Sequence, residues 1–133
     1  MRRFRFQEIR LIRFFVVSAC VSGFLSVMLG AFGAHGLESR LPPDDLATFE
    51  VGVRYQMYHA LALLGVGLVL ARWPGPLGTW AGWSFLIGTV VFSGSLYLLV
   101  LTGPRSLGAI TPLGGVAFLL GWALLALHLS RSV

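Results

Sequence analysis

A chain of 133 residues that is 56% hydrophobic and 11% charged lacks the polar surface of a water-soluble fold, in which about 25% of residues are charged. Its net charge of +5 comes from arginine, and half of the arginines (Arg2, Arg3, Arg5, Arg10, Arg13) precede the first apolar run. That placement reads as a topology signal and a contact with anionic lipid, and no basic face with interleaved aromatics remains for nucleic acid. The single cysteine, Cys20, excludes a disulfide or a thiolate metal site within one chain and reads as a small hydrophobe.

Four apolar stretches follow in order, about Phe14 to Phe32, Tyr55 to Ala71, Thr79 to Leu101 and Leu113 to Leu129. Each is near the roughly 20 residues that a membrane span requires. The sequence therefore predicts an all-α membrane protein of one domain, a four-transmembrane-helix antiparallel bundle. The first stretch, with its arginine-rich start, also has the outline of a signal peptide, but it is long for one and is expected to be retained.

Between the first two spans lies the longest connection. Pro42-Pro43 followed by Asp44-Asp45 makes a good helix start, with carboxylates where the helix dipole is positive. Leu46, Phe49 and Val53 then repeat at helical spacing against polar Asp45, Glu50 and Arg54. The pattern predicts a short amphipathic helix over about 44–54, lying on the membrane surface and feeding into the second span. Glu50 and Arg54 form an i,i+4 pair read as structural. The other two connections, Arg72-Trp73-Pro74-Gly75-Pro76 and Thr102-Gly103-Pro104-Arg105-Ser106, are tight turns.

Arginine counting sets the orientation. Seven arginines stand in the N-terminal tail, the Arg72 turn and the C-terminal tail, against three (Arg40, Arg54, Arg105) on the opposite side. Both termini are expected in the cytoplasm, with Trp73, Trp80 and Trp83 as an interfacial belt around the cytoplasmic turn.

Small residues recur every fourth position in the first span as Ser18, Ser22, Ser26, Gly30 and Ala34. Hydrophobic drive between helices is weak in lipid, so such a stripe predicts close helix packing, within the chain or with a partner.

Polar side chains at membrane depth carry a functional expectation. His35, Glu50, Tyr55, Gln56, Tyr58, His59, Ser93, Ser95 and Thr111 all fall, by topology, toward the outer leaflet, where they are expected to line a shallow polar pocket. Tyr55 and His59 are i,i+4 and share a helix face. His35, His59 and Glu50 offer a ligand set for zinc or iron, but no His-x-x-x-His or Glu-x-x-His spacing supports it, and no metal or cofactor is expected. The histidines read better as partners of backbone or tyrosine groups. His128, near the end of the fourth span, reads as an interfacial residue. No catalytic signature is present, and no acidic or basic residue lies within the spans, so an enzyme or an ion-coupled pump is poorly supported.

Leu29-Gly30-Ala31-Phe32-Gly33-Ala34-His35-Gly36-Leu37, then Phe49-Glu50-x-Gly52-x-Arg54-Tyr55-Gln56-x-Tyr58-His59-Ala60-Leu61-Ala62, resembles the small bacterial inner-membrane proteins typified by YgdD, whose eukaryotic relatives include transmembrane protein 256. Phe92-Ser93-Gly94-Ser95-Leu96-Tyr97 and Thr111-Pro112-x-Gly114-Gly115 are similar to the family's second half. The resemblance implies a four-span membrane protein with no assigned activity, and the longer arginine-rich tail departs from it. Two functions follow from the residues: an accessory subunit packing against a larger membrane assembly or a second copy, and, as the alternative, a protein that binds or moves a small apolar or amphipathic molecule or a lipid. A metal-dependent membrane enzyme is the third and weakest reading.

Overall fold

The computed structural model describes residues 2–132, with side chains described from residue 7 onward; Arg2, Arg3 and Arg5 are therefore placed by backbone alone. Four long helices account for the fold: α1 (Arg2–Phe32), α2 (Pro43–Arg72), α3 (Pro76–Thr102) and α4 (Thr111–Ser132). All four expected spans fall within them, and each helix is long and apolar enough to cross a membrane. The protein is a helical membrane protein.

The helix ends follow the local chemistry. Beyond α1 the chain widens into a π-helical turn, Gly33–Leu37, and the Leu37 carbonyl then accepts the amides of Arg40 and Leu41, both at 2.9 Å. Pro43 opens α2 at the position where a missing amide costs nothing, with Asp44 and Asp45 in the first turn. Pro74 and Pro76 separate α2 from α3 by three residues. Gly103, at φ +91°, takes the left-handed conformation that stops α3. A 3-10 turn, Arg105–Ala109, leads into α4.

One expectation changes here. The 44–54 segment is helical but continuous with the second span, in a single helix of 30 residues that is about 45 Å long. It is not a separate helix lying flat on the surface. Phe49 is fully buried and Gly52 is buried, because the apolar side of this segment packs on the rest of the protein. Hydropathy drops at the segment because its outer side is polar, and the helix does not break there.

Sequential helices pack side by side and antiparallel, α1 on α2, α2 on α3 and α3 on α4. α1 and α4 stand at opposite edges, so the bundle is open. Aromatic rings seated on glycines hold it together. Phe15 of α1 lies over Gly82 of α3, Phe85 of α3 over Gly121 of α4, Phe118 of α4 over Gly88 of α3, and Tyr97 of α3 over Gly52 of α2. In lipid this close contact supplies dispersion energy that hydrophobic exclusion cannot. At the end of the bundle carrying the α2–α3 turn, His128 is buried and its Nε2–H donates to the Trp73 carbonyl at 2.9 Å. This histidine is a tie between α4 and the turn, where the sequence suggested an interfacial residue.

Candidate functional site

The buried residues of α2 set the geography. Phe49, Gly52, Gln56, His59, Leu63, Val66 and Leu70 alternate at spacings of three and four, the seam of a packed helix. Gln56 and His59 therefore point inward. They also sit near the middle of the bundle and not at its mouth, because α2 begins at Pro43, about 20 Å of helix before Gln56. The expected single pocket at the outer boundary resolves into three clusters, with His35 and Glu50 left outside them.

The first cluster is centred on Gln56. Its Nε2 donates to the Ser22 carbonyl at 3.0 Å, and its Oε1 accepts the Tyr97 hydroxyl at 2.7 Å. One side chain thus joins α1, α2 and α3. On either side of it, Ser26 donates to the Val53 carbonyl at 2.8 Å and Ser93 to the Gly52 carbonyl at 2.7 Å. Both of those carbonyls belong to α2, so the serines add bonds to backbone groups already used by the helix. The small-residue stripe is in part spent here: Ser26 is bonded to α2, and a Cβ on Gly30 would touch Val53 at 3.4 Å. Ala34 is exposed, and Ser18 faces the groove described below.

The second cluster surrounds His59. Its Nδ1–H donates to the Tyr55 carbonyl at 2.8 Å, and its Nε2 accepts the Trp122 indole N–H at 3.3 Å. A ring so bonded is the neutral tautomer, with both nitrogens committed. It stacks on Phe118 with centroids 3.4 Å apart and planes at 5°, and Phe85 and Trp122 close around it. Tyr55 shares the face as expected, stacked at 6.1 Å on His59 and at 4.7 Å on Phe92. The third cluster is the pair Ser95 and Thr111, whose hydroxyls lie 2.7 Å apart across α3 and α4.

His35 and Glu50 are exposed and are bonded to none of these, and Tyr58, also exposed, touches only the edge of the second through its ring contact with Tyr55. Glu50 shares a small depression with Gly30, Gly33, Phe49, Val53 and Arg54. His35 and His59 do not converge. Gly33 packs at the level of Phe49, and His59 lies ten residues further along α2, about 15 Å away. Among the described residues no three of His, Cys, Asp and Glu stand close enough to hold a metal ion.

Beside the Gln56 cluster the molecule is open. A groove of about 750 Å³ runs between α1 and α3, with α2 as its floor. Its walls are Phe14, Val17, Val21 and Leu25 on α1 and Leu86, Val90 and Gly94 on α3, and Gln56 and Ser22 lie at its base. At one end stand Arg10 and Arg13, and at the other Tyr97. A groove of this size, mostly apolar with a few convergent polar groups, has the form of a small-molecule site. The Ser22 hydroxyl is buried and has no hydrogen-bond partner among the described residues. Sequence reasoning treated Arg10 and Arg13 as topology signals and contacts for anionic lipid and the Ser18–Ser22 stripe as packing; nothing in their spacing showed that α1 and α3 stay apart.

Residues 29–115 match the family described as "Protein of unknown function (DUF423)". The chain belongs to this family. It is 48% identical over 113 residues to the UPF0382 membrane protein YwdK of Bacillus subtilis, covering 84% of this chain and 91% of that one. It is 44% identical over 125 residues to the UPF0382 inner membrane protein YgdD of Escherichia coli K12, covering 90% and 93%. A further relative, from Staphylococcus epidermidis, is 46% identical over 113 residues, covering 85% and 92%. No solved structure matches. The DUF423 match contains Tyr55, Gln56, His59, Ser93, Ser95, Tyr97 and Thr111 but not Ser22, Ser26, Phe118 or Trp122, and it leaves the arginine end of the groove outside it.

Proposed function

We propose that this DUF423 protein binds an amphipathic molecule or lipid from within the bilayer, in the groove between α1 and α3. The observation that carries the proposal is a lateral opening, apolar along its walls and polar at its base, in a chain whose α2–α3 and α3–α4 contacts are closed by ring-on-glycine packing. The groove opens sideways, so a molecule dissolved in the membrane enters without crossing water. The names of the relatives support an inner-membrane location, and arginine counting supports cytoplasmic termini.

Native mass spectrometry of the protein released from lipid nanodiscs tests the proposal. Val21→Trp combined with Val90→Trp places two large rings in the groove from exposed positions. The wild type is expected to retain a lipid-mass adduct, and the double variant is expected to lose most of it. Equal retention by the two proteins overturns the proposal.

The accessory-subunit reading keeps one specific support. A second depression, of about 440 Å³, lies between α1 and α2 on another side of α1, lined by small residues Ala19, Cys20, Gly23 and Ala60 among larger ones. A helix of a second copy or a partner approaches closely over such residues.

A further inference from the structure

We propose that the groove holds an acyl chain of an anionic phospholipid, with its phosphate against Arg10 and Arg13. This inference rests on the groove being a binding site and names its occupant. Arg10 and Arg13 are three residues apart, on one face of α1, and both line the same end of the groove. Among the described residues no acidic side chain lines it. Glu8, the nearest carboxylate in the α1 sequence, borders a different depression with Leu11, Ile12 and Leu70.

Depth supports the same occupant. Phe15 meets Gly82 and Trp83 near the start of α3, and Phe14 is 5.5 Å from Trp83. Arg10 and Arg13 stand outside this aromatic layer, as headgroup-contacting residues do. Ser22, which meets Gln56, lies about 13 Å of helix deeper than Arg13. One leaflet of hydrocarbon is about 15 Å thick. A chain laid along Val17, Val21 and Leu25 therefore starts at the phosphate level and ends near the bilayer middle, where Gln56 lies. Arginine is suited to the other end, because its planar fork of donors matches a phosphate.

The anionic lipids matter because zwitterionic headgroups carry a cation that offsets part of the attraction to two arginines. Nanodiscs of equal phosphatidylglycerol and phosphatidylcholine give the test, read as the ratio of the two lipids left on the protein by native mass spectrometry. The wild type is expected to favour phosphatidylglycerol on the order of tenfold. Arg10→Gln with Arg13→Gln, both at exposed positions, is expected to bring the ratio near one while total bound lipid persists. A wild type without preference, or a double variant that keeps it, overturns the inference and leaves the binding proposal standing. A dimer mass carrying no lipid overturns both, since a second copy then fills the groove. Val21→Trp with Val90→Trp distinguishes the two failures, because it acts on the chain site and leaves the arginines in place.

Discussion

Gln56 and His59 are buried polar residues on the same seam of α2, one turn apart, and the protein treats them in opposite ways. His59 is walled by Phe85, Phe118 and Trp122, and both ring nitrogens are bonded. Gln56 is equally well bonded, to Ser22 and Tyr97, but it forms the base of a groove open to the side. The difference comes from the neighbouring helices. α3 and α4 approach until Phe92 of α3 sits directly on Gly114 and Phe118 on Gly88. α1 and α3 are kept apart by α2 along the groove, and Phe15 and Phe14 reach across near the arginine end. A buried polar residue in a membrane protein is thus a site only when the packing around it leaves room for a ligand.

Closing pressure on the sealed side gives the largest expected effect. A Cβ on Gly114 meets the backbone of Phe92 as well as its side chain, so no rotamer change relieves the overlap. Gly114→Val is expected to lower stability by about 3 kcal/mol, measured as the shift in reversible unfolding in mixed detergent micelles. A loss below about 0.5 kcal/mol would mean that α3 and α4 are not locked together and that the contrast with the open side is false.

His59→Ala comes next. The variant removes a stacked ring and two hydrogen bonds, and it leaves the Trp122 indole without an acceptor. A loss of about 2 kcal/mol is expected, with lipid retention unchanged in the molecules that remain folded. The sequence favoured His59 as a partner of backbone or tyrosine groups and offered a ligand role only in the pocket alternative; loss of binding with intact stability would favour that alternative. The same measurement therefore separates a structural histidine from a functional one.

How much of this was legible beforehand differs between the two residues' surroundings and the residues themselves. Four spans followed from apolar run length, and both tight turns from proline and glycine. The inward direction of Gln56 and His59 was also available, because Phe49, Gly52, Gln56, His59, Leu63 and Val66 already show alternating spacings of three and four. Reading the start of the apolar run as the start of the helix hid it, and put these residues at the membrane surface. Trp122 and Tyr97 as their partners were not legible. Which residues face α2 from α3 and α4 depends on helix rotation, which spacing within one helix does not fix. The groove was hidden for a related reason, since short connections are compatible with a closed ring of helices as well as an open row.

The smallest expected effect falls on the open side, at a glycine that lines the groove. Gly94 of α3 follows Ser93 and borders the groove beside Gln56, and a Cβ built on it meets nothing within 4 Å. A methyl group there enters the space a ligand would occupy and displaces no protein atom. Gly94→Ala also removes backbone freedom from the unfolded chain, which favours the helix slightly. The stability change is expected to stay within about 0.5 kcal/mol, in the same unfolding assay that registers Gly114→Val. Enlarging the side chain extends the argument: Gly94→Leu is expected to remain folded, because its atoms point into the groove, while bound lipid falls as they fill it. A destabilisation of Gly94→Leu comparable to that of Gly114→Val would show that α1 and α3 close on each other in the membrane. Gln56 would then be as sealed as His59, and no lateral site would remain.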